Sequence, residues 1–203
     1  MRTRDFVGCQ GFPCANVRNE CYIVSDVDLQ AEDVSIMLIS EAAPADPADY
    51  YYASGNPLFE QTTVQAFRDA GAEVSSVQDI LRLGVYLTTA VKCGKTGYGI
   101  DRSTVVECSH ILEQELALFP QVKAYLLMGD VAIQAVNAIA RRRGEGRVIP
   151  AGSTYKIRGA EYFFWGARAF PSYLQAGPSF FIEKSKRRVI AEDIASALKL
   201  AGA

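Results

Sequence analysis

Val34-Ser-Ile-Met-Leu-Ile-Ser40 is the stretch on which the fold turns. It is apolar with almost no alternation, too short for a core helix, and it runs into a loop of small residues and proline. That pattern predicts a strand buried on both faces, the kind found inside a parallel sheet. Working outward, Val85-Tyr-Leu-Thr-Thr-Ala-Val91 and Val122 to Met128 repeat the pattern, and Tyr162 to Phe170 supplies a fourth strand. Helical patterns lie between and after them. Thr62 to Ala70 carries apolar residues at helical spacing and closes on Gly71, and a helix opened by Asp101 or Ser103 runs to about Phe119. Gly129-Asp130 begins another that ends in Arg141-Arg-Arg-Gly144, and a charged helix spans Glu183 to Leu200. Strands alternating with helices predict an α/β fold: a single-domain three-layer α/β/α arrangement around a central, mostly parallel four-stranded sheet. The domain is expected to span residues 1–203, with residues 1–30 as an N-terminal arm.

Composition narrows the class without naming it. With 203 residues, 49% hydrophobic and 22% charged, the chain is long enough for one well-buried domain. No apolar run approaches the roughly 20 residues of a membrane span, and Met1-Arg-Thr-Arg-Asp-Phe6 leads into no apolar signal core. A cytoplasmic protein is expected. The net charge of −2 argues against a protein that blankets nucleic acid but leaves room for a local basic groove.

In open α/β sheets the active site lies beyond the carboxyl ends of the strands, which singles out the loops after Ser40, Val91, Met128 and Phe170. The cysteines point the same way. Four of the five fall into two distant sets, Cys9 and Cys14, then Cys93 and Cys108, with Cys21 between. In a reducing compartment such sets read as ligands of a metal or cluster rather than as disulfides. The alternative is five ordinary buried cysteines.

Ordered pieces of the chain then resemble one family. Ile39-Ser-Glu-Ala-Ala-Pro44 is similar to a Gly-Glu-Ala-Pro-Gly motif, and Gly55-Asn-Pro-Leu-Phe59 to a Gly-x-Pro-Phe segment after it. Tyr86-Leu-Thr-Thr-Ala-Val-Lys-Cys93 resembles a strand ending in Asn-x-x-Lys-Cys. Cys108, Ile111-Leu-Glu-Gln-Glu-Leu116 and Pro120 to Gly129 follow the family's cysteine, helix, proline and strand, and Phe170-Pro-Ser-Tyr-Leu174 takes the place of a His-Pro-Ser motif. Together these resemble the uracil-DNA glycosylase superfamily, in its iron-sulfur branch called family 4.

The resemblance implies a DNA glycosylase that hydrolyses the N-glycosidic bond of uracil or another deaminated base and leaves an abasic site. It implies an iron-sulfur cluster of four irons held by Cys9, Cys14, Cys93 and Cys108, with residues 1–30 as the cluster-binding arm, zinc as the second choice and Cys21 as a rival ligand. Glu41 would position water against the sugar, with Asp46 and Asp49 as spare acids; its bland role is a helix cap or a surface pair with a lysine. Phe59, Thr89 and Phe170 would line the base pocket. Two of these depart from the family: Thr89 replaces the asparagine that reads uracil, and Phe170 replaces the histidine that stabilises the leaving base. A non-catalytic damaged-base or single-stranded DNA binding protein is therefore the alternative. DNA is the expected partner, in the nucleoid. Ser172, Tyr173 and Leu174 would press into the minor groove, with Tyr173 or Leu174 as the wedge. Lys184 and Lys186 would meet phosphates, as would Arg141 to Arg143, unless these runs are solvated helix faces. Tyr50-Tyr51-Tyr52 reads either as packed loop or as groove-facing aromatics.

Overall fold

A computed structural model of the chain describes residues 1–97 and 99–202. Tyr98, in the loop after the second expected strand, and Ala203, the last residue of the expected domain, lie outside the described residues. The strands are β1 (Val17–Arg18), β2 (Ile36–Ala43), β3 (Val85–Lys95), β4 (Ala124–Met128), β5 (Tyr162–Phe164) and β6 (Ala167–Ser172). The helices are α1 (Leu58–Asp69), α2 (Val77–Arg82), α3 (Arg102–Leu116), α4 (Asp130–Arg142), α5 (Thr154–Ile157), α6 (Ser179–Ile182) and α7 (Lys184–Ala201).

One sheet runs in the order β1-β3-β2-β4-β6-β5. β3, β2, β4 and β6 are parallel, as expected. Two short antiparallel strands, β1 and β5, extend this core to six. The expected strand Tyr162–Phe170 is in fact a hairpin, in which the short β5 turns back into the longer β6. Phe164 pairs with Ala167, and Trp165 (φ +51°) and Gly166 (φ +80°) make the two-residue left-handed turn that matches strand twist. A turn containing tryptophan inside an aromatic run hides from a search for polar turn residues.

The apolar run of β2 has the explanation its pattern demanded. Met37 and Ile39 pack on the face covered by α3 and α4, while Ile36 and Leu38 pack on the opposite face under α1, α2 and α7. With helices on both faces, every side chain of the central strand is apolar until the chain approaches the carboxyl end. Among the described residues, no helix is long and apolar enough to cross a membrane.

Two polar features stiffen this core. Lys92 of β3 and Glu115 of α3 form an ion pair with both side chains fully buried. The Lys92 ammonium also donates to the Thr88 hydroxyl (2.7 Å) and the Thr89 carbonyl (2.6 Å), and the Tyr86 and Thr88 hydroxyls donate to Glu115 (2.9 and 3.0 Å). All the strong donors and acceptors are matched, the condition for such a pair to be tolerated in an apolar interior. The tyrosine triplet is the second feature. Tyr50 and Tyr51 are buried, and the Tyr52 hydroxyl both donates to the Leu87 carbonyl and accepts from its N–H, each at 3.0 Å. Tyr52 thus satisfies both backbone groups of Leu87, and the Ile23 N–H donates to the Lys92 carbonyl (2.8 Å), on the stretch of β3 before the residues paired with β1. The triplet is packed loop, the first of its two readings.

Candidate active site

Glu41 stands on β2 rather than in the loop beyond it, because Ala42 and Ala43 still pair with Val91 and Gly94 of the long β3. Its carboxylate lies at the carboxyl edge of the sheet with 17% of the side chain exposed, and the Lys95 ammonium sits 3.4 Å from Oε2. The bland role, a lysine partner, is therefore present, but at a half-enclosed strand end rather than on open surface. The other wall is Gly129. It has φ +100°, and a Cβ there would fall 2.7 Å from Glu41 Oε1, so the glycine is what allows a carboxylate to lie against this backbone. α4 begins at the next residue, and the positive end of its dipole favours the negative charge. The Gly129 N–H donates to the Ser172 carbonyl (3.0 Å), which ties the ends of β4 and β6 beside Glu41.

The spare acids are otherwise engaged. Asp46 is exposed and caps a short turn by accepting from the Ala48 N–H at 2.9 Å, and Asp49 accepts from the Leu58 N–H at the start of α1. The three base-pocket residues share the α1 and α7 side of the sheet. Phe59 is half-buried with its ring 5.3 Å from that of Tyr51. Thr89 pairs in register with Ser40, and its hydroxyl is buried with no hydrogen-bond partner among the described residues. Phe170 is half-buried, and the Arg168 guanidinium lies 4.9 Å from its ring. Thr89 lies in the middle of β3 and is fully buried, so this is an unsatisfied polar group inside the fold.

The four cysteines named from sequence line a single cavity of about 530 Å³ between the N-terminal arm, the end of β3 and α3. Phe12, at φ +43°, bends the Cys9–Cys14 loop. The Cys9 N–H donates to the Tyr22 hydroxyl (3.1 Å), and the Lys92 N–H donates to Cys108 Sγ (3.2 Å). Burial pushes the Cys93 thiol up to about 12, and the neighbouring Cys108, Cys9 and Cys14 add to the rise. Cys21, the rival, does not line the cavity and donates instead to the Ala45 carbonyl at 3.4 Å. Among the described residues, no three His, Cys, Asp or Glu side chains gather tightly enough to hold a single metal ion. His110, exposed, lines the same cavity.

The residues expected to touch DNA divide. Ser172 is fully buried at the end of β6, so its hydroxyl is not presented to solvent. Its position within the strand, not after it, is the reason. Tyr173 and Leu174 are half-buried, and Lys184 is exposed. Lys186 pairs with Glu183 (2.8 Å) and lies over the Tyr173 ring at 5.5 Å.

Sequence reasoning did not find the network beneath this site. Gln175, fully buried, donates to the Tyr51 hydroxyl (2.9 Å), the Ser40 hydroxyl (3.2 Å) and the Thr63 hydroxyl (3.3 Å), and Ser40 is bonded to Tyr51. These residues come from four separate elements, so no local spacing could reveal them. Lys95 was within reach: it is the charged end of the Lys92-Cys93-Gly94-Lys95 segment that closes β3.

A profile described as the uracil DNA glycosylase superfamily matches residues 27–192, a span that holds Glu41, Thr89, Phe170, Cys93 and Cys108 but not Cys9 or Cys14. Over 125 residues the chain is 29% identical to the type-5 uracil-DNA glycosylase of Thermus thermophilus, covering 61% of this chain and 54% of that protein. The aligned stretch thus spans about half the length of that relative.

Proposed function

The chain belongs to the uracil DNA glycosylase superfamily, and from that membership we propose that it is a DNA glycosylase removing uracil or another deaminated base from DNA. The observation that carries the proposal is the placement of Glu41, a half-enclosed carboxylate held by Lys95 and Gly129 at the carboxyl edge of the sheet. Breaking an N-glycosidic bond builds positive charge on the sugar and negative charge on the departing base. A fixed carboxylate stabilises the first and orients the attacking water. Phe59 stacks on the extruded base, and the unpartnered Thr89 hydroxyl meets its edge. One hydroxyl reads less than the two-sided pattern of an amide, so the base choice is broader than uracil alone.

The thiol-lined cavity supports a second part of the proposal. Four cysteines lining one cavity, with no three of the described His, Cys, Asp or Glu side chains gathered as one ion requires, suit an iron-sulfur cluster better than zinc, whose ligand sulfurs all sit about 2.3 Å from one centre. Cys9, Cys14, Cys93 and Cys108 would hold it. When bound, the cluster supplies a cross-link between the arm and the β3–α3 region, and excision routes no step through it.

The absence of a donor at Phe170 favours one competing reading, a lesion binder that has given up hydrolysis. Incubation with single- and double-stranded oligonucleotides carrying uracil, hypoxanthine or xanthine, followed by alkaline cleavage, separates the two. Strand scission at the modified base supports the glycosylase; tight binding with every strand intact supports the binder.

A further inference from the structure

A cleft of about 340 Å³ lies on the far side of α4, between that helix, the start of α3 and the segment 145–157. Arg102, Arg141 and Arg147 line it, all exposed, over an apolar floor that includes Ile133, Ile149 and Pro150. These three arginines differ from the rest. Among the described residues, every other arginine except Arg68 has a carboxylate oxygen within 4.0 Å, and Arg68 donates to the Val74 carbonyl at 2.7 Å. The Arg141–Arg143 run splits accordingly. Arg142 pairs with Glu113, and Arg143 does so at 3.5 Å while lying over the Trp165 ring at 4.9 Å. Arg141 remains for the cleft. One acid, Asp130, also lines it, which leaves a net charge of +2 from these four groups.

The cleft is built rather than incidental. The Asn137 amide donates to the Ile149 carbonyl (2.9 Å) and accepts from the Ile149 N–H (3.0 Å), locking the segment that carries Arg147 against α4. Its upper end is Asp130, the residue after the Gly129 against which Glu41 rests. From Asp130 to Arg141 the helix rises about 16 Å, room for roughly four or five stacked nucleotides at 3.4 Å each. Three guanidiniums without carboxylate partners among the described residues, around an apolar floor in a cleft whose Asp130 end adjoins Gly129 of the candidate active site, match a phosphodiester backbone.

We infer that this cleft holds the backbone of the DNA strand as it leaves the base site, with Arg102, Arg141 and Arg147 as phosphate ligands. The inference rests on the DNA reading given above. It is tested by fluorescence anisotropy on undamaged DNA over a range of salt. The R102A/R141A/R147A protein is compared with wild type and with R2A/R4A/R82A, which removes three carboxylate-paired arginines and so matches the charge change. Each lost phosphate contact lowers the salt slope by about 0.7 to 0.9. The cleft variant is therefore expected to lose about 2 to 3 in slope and about a hundredfold in affinity at 0.1 M salt. Its melting temperature should stay at the wild-type value, and the control triple should bind as wild type does. Equal slopes for the cleft variant and wild type overturn the cleft assignment while leaving excision standing. Loss of slope in a protein that excises nothing upholds the cleft and removes the glycosylase reading. A wild-type protein that binds no DNA removes both.

Discussion

Gly129 is the residue whose identity most constrains Glu41. At φ +100° any other residue is strained, and its Cβ would stand 2.7 Å from the carboxylate. Gly129→Ala is expected to lower stability by about 1 to 2 kcal/mol in urea unfolding. It should also slow excision by more than it weakens DNA binding, since the displaced group is the one proposed to act on the sugar. A rate unchanged in the folded variant would mean that Glu41 needs no fixed seat. Thr89 and Phe170 make the converse test, because each can be changed to the side chain that the family resemblance places there. Phe170→His and Thr89→Asn are each expected to raise single-turnover uracil excision by about tenfold, a fraction of the 10²–10³ that one well-placed donor supplies in other enzymes. Unchanged rates would show that the base is held by other groups.

At the scale of elements, the buried Lys92–Glu115 pair joins β3 to α3 directly behind Cys93 and Cys108. Lys92→Met leaves a carboxylate with no cation in an apolar interior and is expected to cost about 3 to 5 kcal/mol. Lys92→Met combined with Glu115→Leu should regain most of that in the same chemical denaturation measurement. A double variant as unstable as the single one would show that packing, not charge, is what the pair provides. The elements that carry these groups were largely legible in the sequence. β2, β3 and β4 are continuous apolar runs because helices cover both faces, and α3, α4 and α7 are long enough for their periodicity to show. The two-residue β1, the short α2, α5 and α6, and the β5–β6 turn escape because periodicity needs more residues than they contain. The candidate site was half legible. Glu41, Thr89 and the four cysteines lie in recognisable segments, whereas the Gln175–Tyr51–Ser40–Thr63 network and the capping role of Asp46 depend on contacts that exist only once the chain has folded.

On the scale of the whole molecule, the N-terminal arm is fastened to the sheet by its own buried residues, among them Val7, Val17 and Val24, and by the cysteine cavity. A cluster bound there binds the folded protein and not the unfolded chain, so it adds to stability by mass action. Protein isolated without oxygen is expected to carry about four irons per chain and to absorb broadly in the visible. Removal of the iron by a chelator should lower the melting temperature, and Cys108→Ser should lose iron where Cys21→Ser keeps it. Iron retained by Cys108→Ser would contradict the assignment. In the proposed reading the site at Glu41 and the cleft along α4 both meet DNA, on a scaffold whose rigidity comes from the sheet. Everything in that picture converges on one carboxylate. Its most direct test is single-turnover excision of a deaminated base by Glu41→Gln beside wild type, with DNA affinity measured in parallel. The account predicts a rate at least about 10²-fold lower, the scale of a lost general base or water-orienting group, with affinity within a few-fold of wild type. A Glu41→Gln protein that excises as fast as wild type would contradict it.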